Sequence, residues 1–298
     1  MPSQLSNYYY QIIQDQLLVW NGMTLEERRK SYEEVSIQRG NFSKHVEIPA
    51  TQIGNVTGDW LIPYQQQSDG IIIHLHGGAF AVGNALSHRA IGSHLAEYSG
   101  SRVLMLNYRL CPEHQFPDAL DDVVETTLAL RKNNPAQKIA LSGDSAGGNL
   151  ALTAALYLQE HQHQLPNAIG LMCPWTDLTM SNATHQTKAK VDPYFPNSDR
   201  LIASAKTYAG STEIVNPLIS PQFAQYSDFP PVMIHVGEYE VLLDDASKLH
   251  QQLKQGSCES HLEVFPAMWH VWQHFVGLLP EATQSVEKMA QFLKLNLS

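Results

Sequence analysis

The stretch GDSAGGNLA at residues 143–151 places Ser145 between Gly143 and Gly147, where an apolar run meets an alanine- and leucine-rich segment. An ordinary strand-to-helix connection uses polar residues and a cap; in a G-x-S-x-G turn the serine is held out with no neighbouring side chain to shield it. A serine hydroxyl is a weak nucleophile near neutral pH. Chemistry at Ser145 therefore needs an imidazole to take its proton, a carboxylate to orient that imidazole, and amide donors for the oxyanion that forms. His270, in FPAMWHVWQHF after the last strand-like run, is the candidate base. The acid should lie between Ser145 and His270 in the chain, and HVGEYEVLLDDASKL offers Glu238, Glu240, Asp244 and Asp245. Asp244 and Asp245 open a helix, where a carboxylate already serves as a cap, and Glu238 can anchor the loop at the strand end. Glu240, on the connection itself, is the first choice and Asp244 the second. HGGAF at 76–80 offers the amides of Gly77, Gly78 and Ala79 for the oxyanion. Ala146 adds another at a helix N-terminus whose dipole favours an anion.

The elements that must hold these groups can be read from the apolar pattern. Runs at 70–76, 102–108, 138–143, 168–174, 231–237 and 261–266 have the continuous hydrophobicity of strands covered on both faces. Helical stretches near 87–99, 118–132, 146–162, 244–255 and 280–296 alternate with them, which predicts an α/β fold with a parallel sheet. HVEIPATQIGNVTGDWLIPY at 45–64 predicts an antiparallel hairpin at the sheet edge. Residues 1–43, helical and amphipathic, and 178–218, with two short helices, stand outside the alternation. They are assigned to a cap, leaving 44–177 and 219–298 as the catalytic core.

Composition excludes several classes. Hydrophobic residues at 43% against 16% charged supply a buried core and argue against disorder. A formal net charge of -10 with scattered basic residues argues against a nucleic-acid partner. The N-terminus lacks a signal-peptide pattern and no segment reaches the roughly 18 apolar residues of a membrane span, which predicts a cytoplasmic protein with no membrane partner. Cys111, Cys173 and Cys258 read as reduced thiols, and the N-x-S/T triplets at Asn41, Asn55 and Asn182 as coincidence.

HGGAF, then YRLCPEHQFPDALDD at 108–122, then GDSAGGNLA, resembles the hormone-sensitive-lipase-like family of α/β-hydrolases, and GEYEVLLDD with MWHVWQ is similar to its bacterial esterase and lactone-hydrolase branch. The resemblance spans residues 70–275. It implies a mostly parallel, eight-stranded sheet flanked by helices with a helical cap, and ester hydrolysis through an acyl-enzyme with no metal and no cofactor. Carried over, it implies Ser145 as nucleophile, His270 as base, and Gly78, Ala79 and Ala146 as oxyanion donors, with Gly77 shaping the turn. Many relatives have glycine in place of Ala79, and aspartate followed by proline in place of Glu240 and Val241. The implied substrate is a small-molecule ester of short to medium acyl length, lactones included, and a homodimer through an exposed sheet edge is compatible with the family.

Phe80, Trp175 and Trp272 are assigned to the wall of the substrate cleft; Tyr194 and Phe195 are further candidates, and for each of the five a place in the core is the equal alternative. His76 is expected to brace the oxyanion loop, Asp144 to support the elbow, and Arg109, Glu113 and Asp118 to form a buried ion-pair or turn network. The pairs His74 with His76, His161 with His163, and His270 with His274 have spacings that can ligate a metal but no H-E-x-x-H frame, so no metal site is predicted. The alternative is a catalytically silent ligand-binding protein on the same fold.

Overall fold

The computed structural model describes residues 3–20, 22–132 and 134–298, with the side chains of residues 16–19 and 39 outside the description. The expected cap segment 1–43 therefore includes residues 1, 2 and 21, which lie outside the described residues.

The edge of the sheet is built by β1 (Val46–Glu47), β2 (Ala50–Ile53) and β3 (Val56–Pro63). Both β1 and β2 pair antiparallel with β3, at Val46 with Pro63 and at Ala50 with Asp59, so they are one edge position interrupted near Pro49. Proline has no amide to give to the ladder. There follow β4 (Ile71–Leu75), β5 (Arg102–Asn107), β6 (Ile139–Asp144), β7 (Ile169–Met172), β8 (Val232–Gly237) and β9 (Ser260–Phe265). The order β1-β3-β5-β4-β6-β7-β8-β9 gives eight positions, with β3 antiparallel to β5 and every later pair parallel. The six central strands and the edge hairpin lie where the apolar runs predict them.

Alternation along each strand feeds two cores. Ile73, Leu104 and Leu141 face one side, where they meet α4 (Asp118–Lys132), α5 (Ala146–Glu160) and α8 (Leu243–Gln255). Ile72, Val103 and Ala140 face the other, against α3 (Arg89–Ser99) and α9 (Pro280–Leu297). The N-terminal residues form α1 (Gln4–Trp20) and α2 (Leu25–Arg39), the latter started by a capping box between Thr24 and Glu27. The segment after β7 carries α6 (Thr184–Thr187) and α7 (Asp199–Ala209).

No helix among the described residues is long and apolar enough to cross a membrane. The three cysteines are free and buried. Asn182 is also buried, its amide donating to Gln222 and Asp245, which removes it as a glycosylation acceptor in the folded chain. All four site segments leave the carboxyl ends of strands: the HGGAF loop after β4, Ser145 after β6, Glu240 after β8 and His270 after β9. That edge is where open α/β sheets place their ligands.

Candidate active site

Ser145 joins β6 directly to α5 with φ 53 and ψ -117, a conformation a non-glycine residue adopts only under constraint. Three hydrogen bonds impose it. The Ser145 amide donates to the Met172 carbonyl at 2.9 Å, and its carbonyl accepts from the amides of Asn149 and Trp175, both at 3.1 Å. The flanking glycines have a reason beyond leaving the serine unshielded. A Cβ on Gly147 would stand 1.9 Å from the Leu75 carbonyl oxygen, and one on Gly143 would stand 2.4 Å from the Gly147 carbonyl carbon. The helix and the strand approach so closely that neither position accepts a side chain.

His270 Nε2 lies 3.0 Å from Ser145 Oγ. On the opposite side of the ring, Nδ1 lies 3.6 Å from Glu240 Oε1, an ion-pair distance longer than a hydrogen bond. Neither of these two atoms has a hydrogen-bond partner among the described residues, so a small rotation closes the contact. The other Glu240 oxygen accepts the Gly237 amide at 3.1 Å, which fixes the fully buried carboxylate at the end of β8. Burial opposes the charged imidazole of His270, but the facing Glu240 outweighs it, with Asp192 and Asp144 adding to the effect, and the pKa is raised above its ordinary value.

The remaining acids of the segment do other work. Glu238 accepts the Ala267 amide at 2.9 Å and so anchors the β9 loop, as its position at the strand end suggested. Asp244 accepts the Thr184 amide at 3.1 Å while its own amide donates to Thr184 Oγ1 at 3.0 Å, tying α8 to α6. Asp245 is buried against the amides of Thr176 and Asp177 and lies 2.6 Å from His185 Nε2.

In the HGGAF loop, Gly77 departs from the expectation that its amide is available. Its N–H is directed at Asp144 Oδ1, 3.1 Å away, and at His88 Nε2, 3.2 Å away. Gly77 thus shapes the turn and cannot also donate to an oxyanion. The amides of Gly78, Ala79 and Ala146 have no partner among the described residues. Gly78 has φ +120, and a Cβ there would meet the Val82 carbonyl at 2.1 Å. His76 does brace this loop: its Nδ1 donates to the Gly77 carbonyl at 2.7 Å and its ring stacks on Tyr108 at 4.2 Å. Burial lowers its pKa to about 3, which keeps it neutral. Asp144 supports the elbow. Burial disfavours its charge, yet His88, His74 and His274 around it hold its pKa well below the ordinary value.

A cavity of about 390 Å³ opens over these groups, with Ser145, His270, Gly78 and Ala79 in its wall. Of the aromatic candidates Tyr194 and Phe195 line it, their rings 6.3 and 5.2 Å from that of His270. Phe80, Trp175 and Trp272 do not. All three are completely buried: Phe80 stacks on Tyr208 at 3.7 Å, Trp175 lies 5.9 Å from Phe80, and Trp272 packs on Phe265 and donates to the Glu281 carbonyl. They are core residues of the elements that carry the site. The ion-pair network is also corrected. Arg109 pairs with Asp118 and Asp122 at a half-exposed position, whereas Glu113 pairs with Arg29 of α2 at 2.7 Å.

Several residues near the site carry no signal in the sequence. Asp192 is buried beside His270, accepts the amides of Val241 and Tyr194, and has its pKa raised to about 6, by burial above all. Cys173 accepts the Val271 amide at 3.3 Å and, by burial and the nearby Glu240, has a pKa raised well above the ordinary value. From α2, Arg28 and Tyr32 reach the cavity wall, and from α7, Arg200 and Leu201. Two trios, His88 with Asp144 and His274, and Cys173 with Glu240 and His270, have ligating atoms within 4.8 Å of one another. Two members of the first, His88 and Asp144, already accept the Gly77 amide, and the second contains His270, which contacts Ser145.

Residues 72–274 match the α/β-hydrolase fold family. The chain is similar to an acetyl-hydrolase of Streptomyces hygroscopicus, 35% identical over 91% of this chain and 90% of the relative. It is similar to an esterase of Acinetobacter venetianus, 32% identical over 83% of this chain and 82% of the relative. Among solved structures, an esterase from the bacterial hormone-sensitive lipase family superposes with a TM-score of 0.93 at 31% identity, covering 100% of both chains. Sequence, topology and site geometry agree, and the chain belongs to the α/β-hydrolase fold family, among the esterases of its hormone-sensitive-lipase branch.

Proposed function

We propose that this chain is a serine carboxylesterase for acyl esters of short to medium length, lactones included, working through Ser145, His270 and Glu240. The observation that carries the reading is the 3.0 Å contact between His270 Nε2 and the hydroxyl of a conformationally constrained Ser145 at the wall of the cavity. Ser145 Oγ attacks the ester carbonyl while His270 Nε2 takes its proton. The carbonyl oxygen becomes an oxyanion facing the amides of Gly78, Ala79 and Ala146, each such donor contributing about 3 kcal/mol to the transition state. Collapse breaks the bond to the alcohol oxygen, which receives the proton from His270. Water then attacks the acyl-serine with His270 again as base, releasing the acid and restoring the hydroxyl. With a lactone the alcohol stays tethered and the product is one hydroxy acid. Glu240 orients the imidazole and balances its charge.

The volume of about 390 Å³ is near the lower end of ligand pockets, roughly 300–1,000 Å³, which supports acyl groups of modest length. The cap comprises 1–43 and 178–218, in keeping with the cavity residues supplied by α2 and α7 and with the Tyr10 hydroxyl on α1, which donates to the Val191 carbonyl at 3.2 Å. A stopped-flow assay with an activated acetate ester tests the reading: steady turnover with release of nitrophenolate is expected, and Ser145→Ala reduces it to background. A folded Ser145→Ala variant that turns over like the parent contradicts it.

A further inference from the structure

The cavity is lined mostly by apolar side chains, with Arg28 of α2 and Asp144 among the few charged residues in its wall. Asp144 is already engaged by the Gly77 amide and by His74 and His88, 3.5 and 3.4 Å away. The two adjacent arginines of α2 divide their work. Arg29 is fully engaged, with the Glu113 carboxylate and with the carbonyls of Ala81 and Cys111. Arg28 turns into the cavity instead, and its Nε is buried with no hydrogen-bond partner. The Nε atoms of Arg89, Arg102 and Arg131 are likewise buried and unpartnered, but of the four only Arg28 stands in the wall of the cavity that holds Ser145, where a bound substrate can supply the partner. The start of α2 does not need Arg28, because the Thr24–Glu27 capping box sets it.

We infer that Arg28 is a specificity-determining residue that receives a carboxylate or phosphate group of the substrate, so that the preferred esters are anionic. The inference rests on the esterase reading above. A guanidinium offers a planar fork that matches both anions, and in an apolar cavity its hydrogen bonds are stronger than at the surface. The charge can sit on the acyl or on the alcohol portion.

Two matched pairs separate these cases. 4-Nitrophenyl hemiglutarate against 4-nitrophenyl valerate carries the charge on the acyl side, and 4-butyryloxybenzoate against 4-butyryloxybenzamide carries it on the alcohol side. In Arg28→Gln the ratio of kcat/KM for the charged member to that for the neutral member falls by about tenfold in at least one pair, and Arg28→Lys recovers part of it. Ratios unchanged in both pairs overturn the inference. If the variants misfold, the parent enzyme decides: its kcat/KM favours the charged member over the neutral one by about tenfold in at least one pair, and a preference for the neutral member in both overturns the inference. A folded parent that hydrolyses none of the four esters sinks the esterase reading and takes this one with it.

Discussion

The Asp144 carboxylate accepts the Gly77 amide at 3.1 Å, which ties the residue preceding Ser145 to the loop carrying Gly78 and Ala79. The turn that carries Ser145 and the loop proposed to carry the oxyanion donors are thus linked by one buried contact. Asp144→Asn should cost about 2–3 kcal/mol in urea denaturation and slow phosphonylation of Ser145. The sign with pH follows from the depressed pKa. A carboxylate held below its unfolded value of about 3.9 contributes stability that is whole above that value and lost as pH falls toward the folded one. The gap between parent and variant therefore narrows below about pH 4; a gap that stays constant argues against the assignment.

Glu240 faces His270 Nδ1, whereas Asp244 is occupied by Thr184. Glu240→Gln should lower kcat on the order of 100- to 10,000-fold, since the imidazole loses both its orientation and its counter-charge. Asp244→Asn should lose about 1 kcal/mol of stability and leave kcat within about threefold. Steady-state kinetics on a butyrate ester decide between them, and the reverse ranking makes Asp244 the acid.

In the proposed mechanism His270 acts as a base only when neutral, and its pKa is raised by the facing Glu240. The acidic limb of kcat/KM should accordingly lie above the ordinary imidazole value of about 6.5. Removing the charge in Glu240→Gln leaves burial as the main influence, so the limb should move toward lower pH. A pH profile of the residual activity measures this, and a limb that stays in place or moves upward counts against the pairing.

Trp272 is a core residue, so Trp272→Ala should cost about 3–5 kcal/mol in thermal or urea unfolding. The relative rates for acetate, butyrate and hexanoate esters should hardly change. Phe195→Ala, at the cavity wall, should do the opposite and shift acyl preference with a smaller stability loss. If Trp272→Ala changes chain-length preference in a well-folded sample, the tryptophan reaches the substrate after all.

The six central strands, the helix at 118–132 and the Ser145–His270 contact were legible because each leaves a local mark: an apolar run, a helical period, a glycine-flanked serine. The aromatics were not, because a cavity wall and a core use the same residue types. Only packing distinguishes Phe195, beside the His270 ring, from Phe80, stacked on Tyr208. Asp192 and Cys173 come from segments distant from both Ser145 and His270 in sequence; Cys173 follows the end of β7 and Asp192 lies between α6 and α7, and only the folded chain brings both near the imidazole. The HGGAF motif offers the Gly77 amide alongside its neighbours because a sequence counts amides without showing which are already bonded, whereas the turn-shaping role that the resemblance implies for Gly77 fits its bond to Asp144.

The central claim is that the hydroxyl of Ser145 is the group that becomes acylated. Incubating the protein with a fluorinated organophosphonate, digesting it and locating the adduct by peptide mass tests this most directly. The account predicts a single adduct on Ser145, blocked when His270 is replaced by alanine. An adduct on another residue, or none in a folded sample that hydrolyses esters, would contradict it.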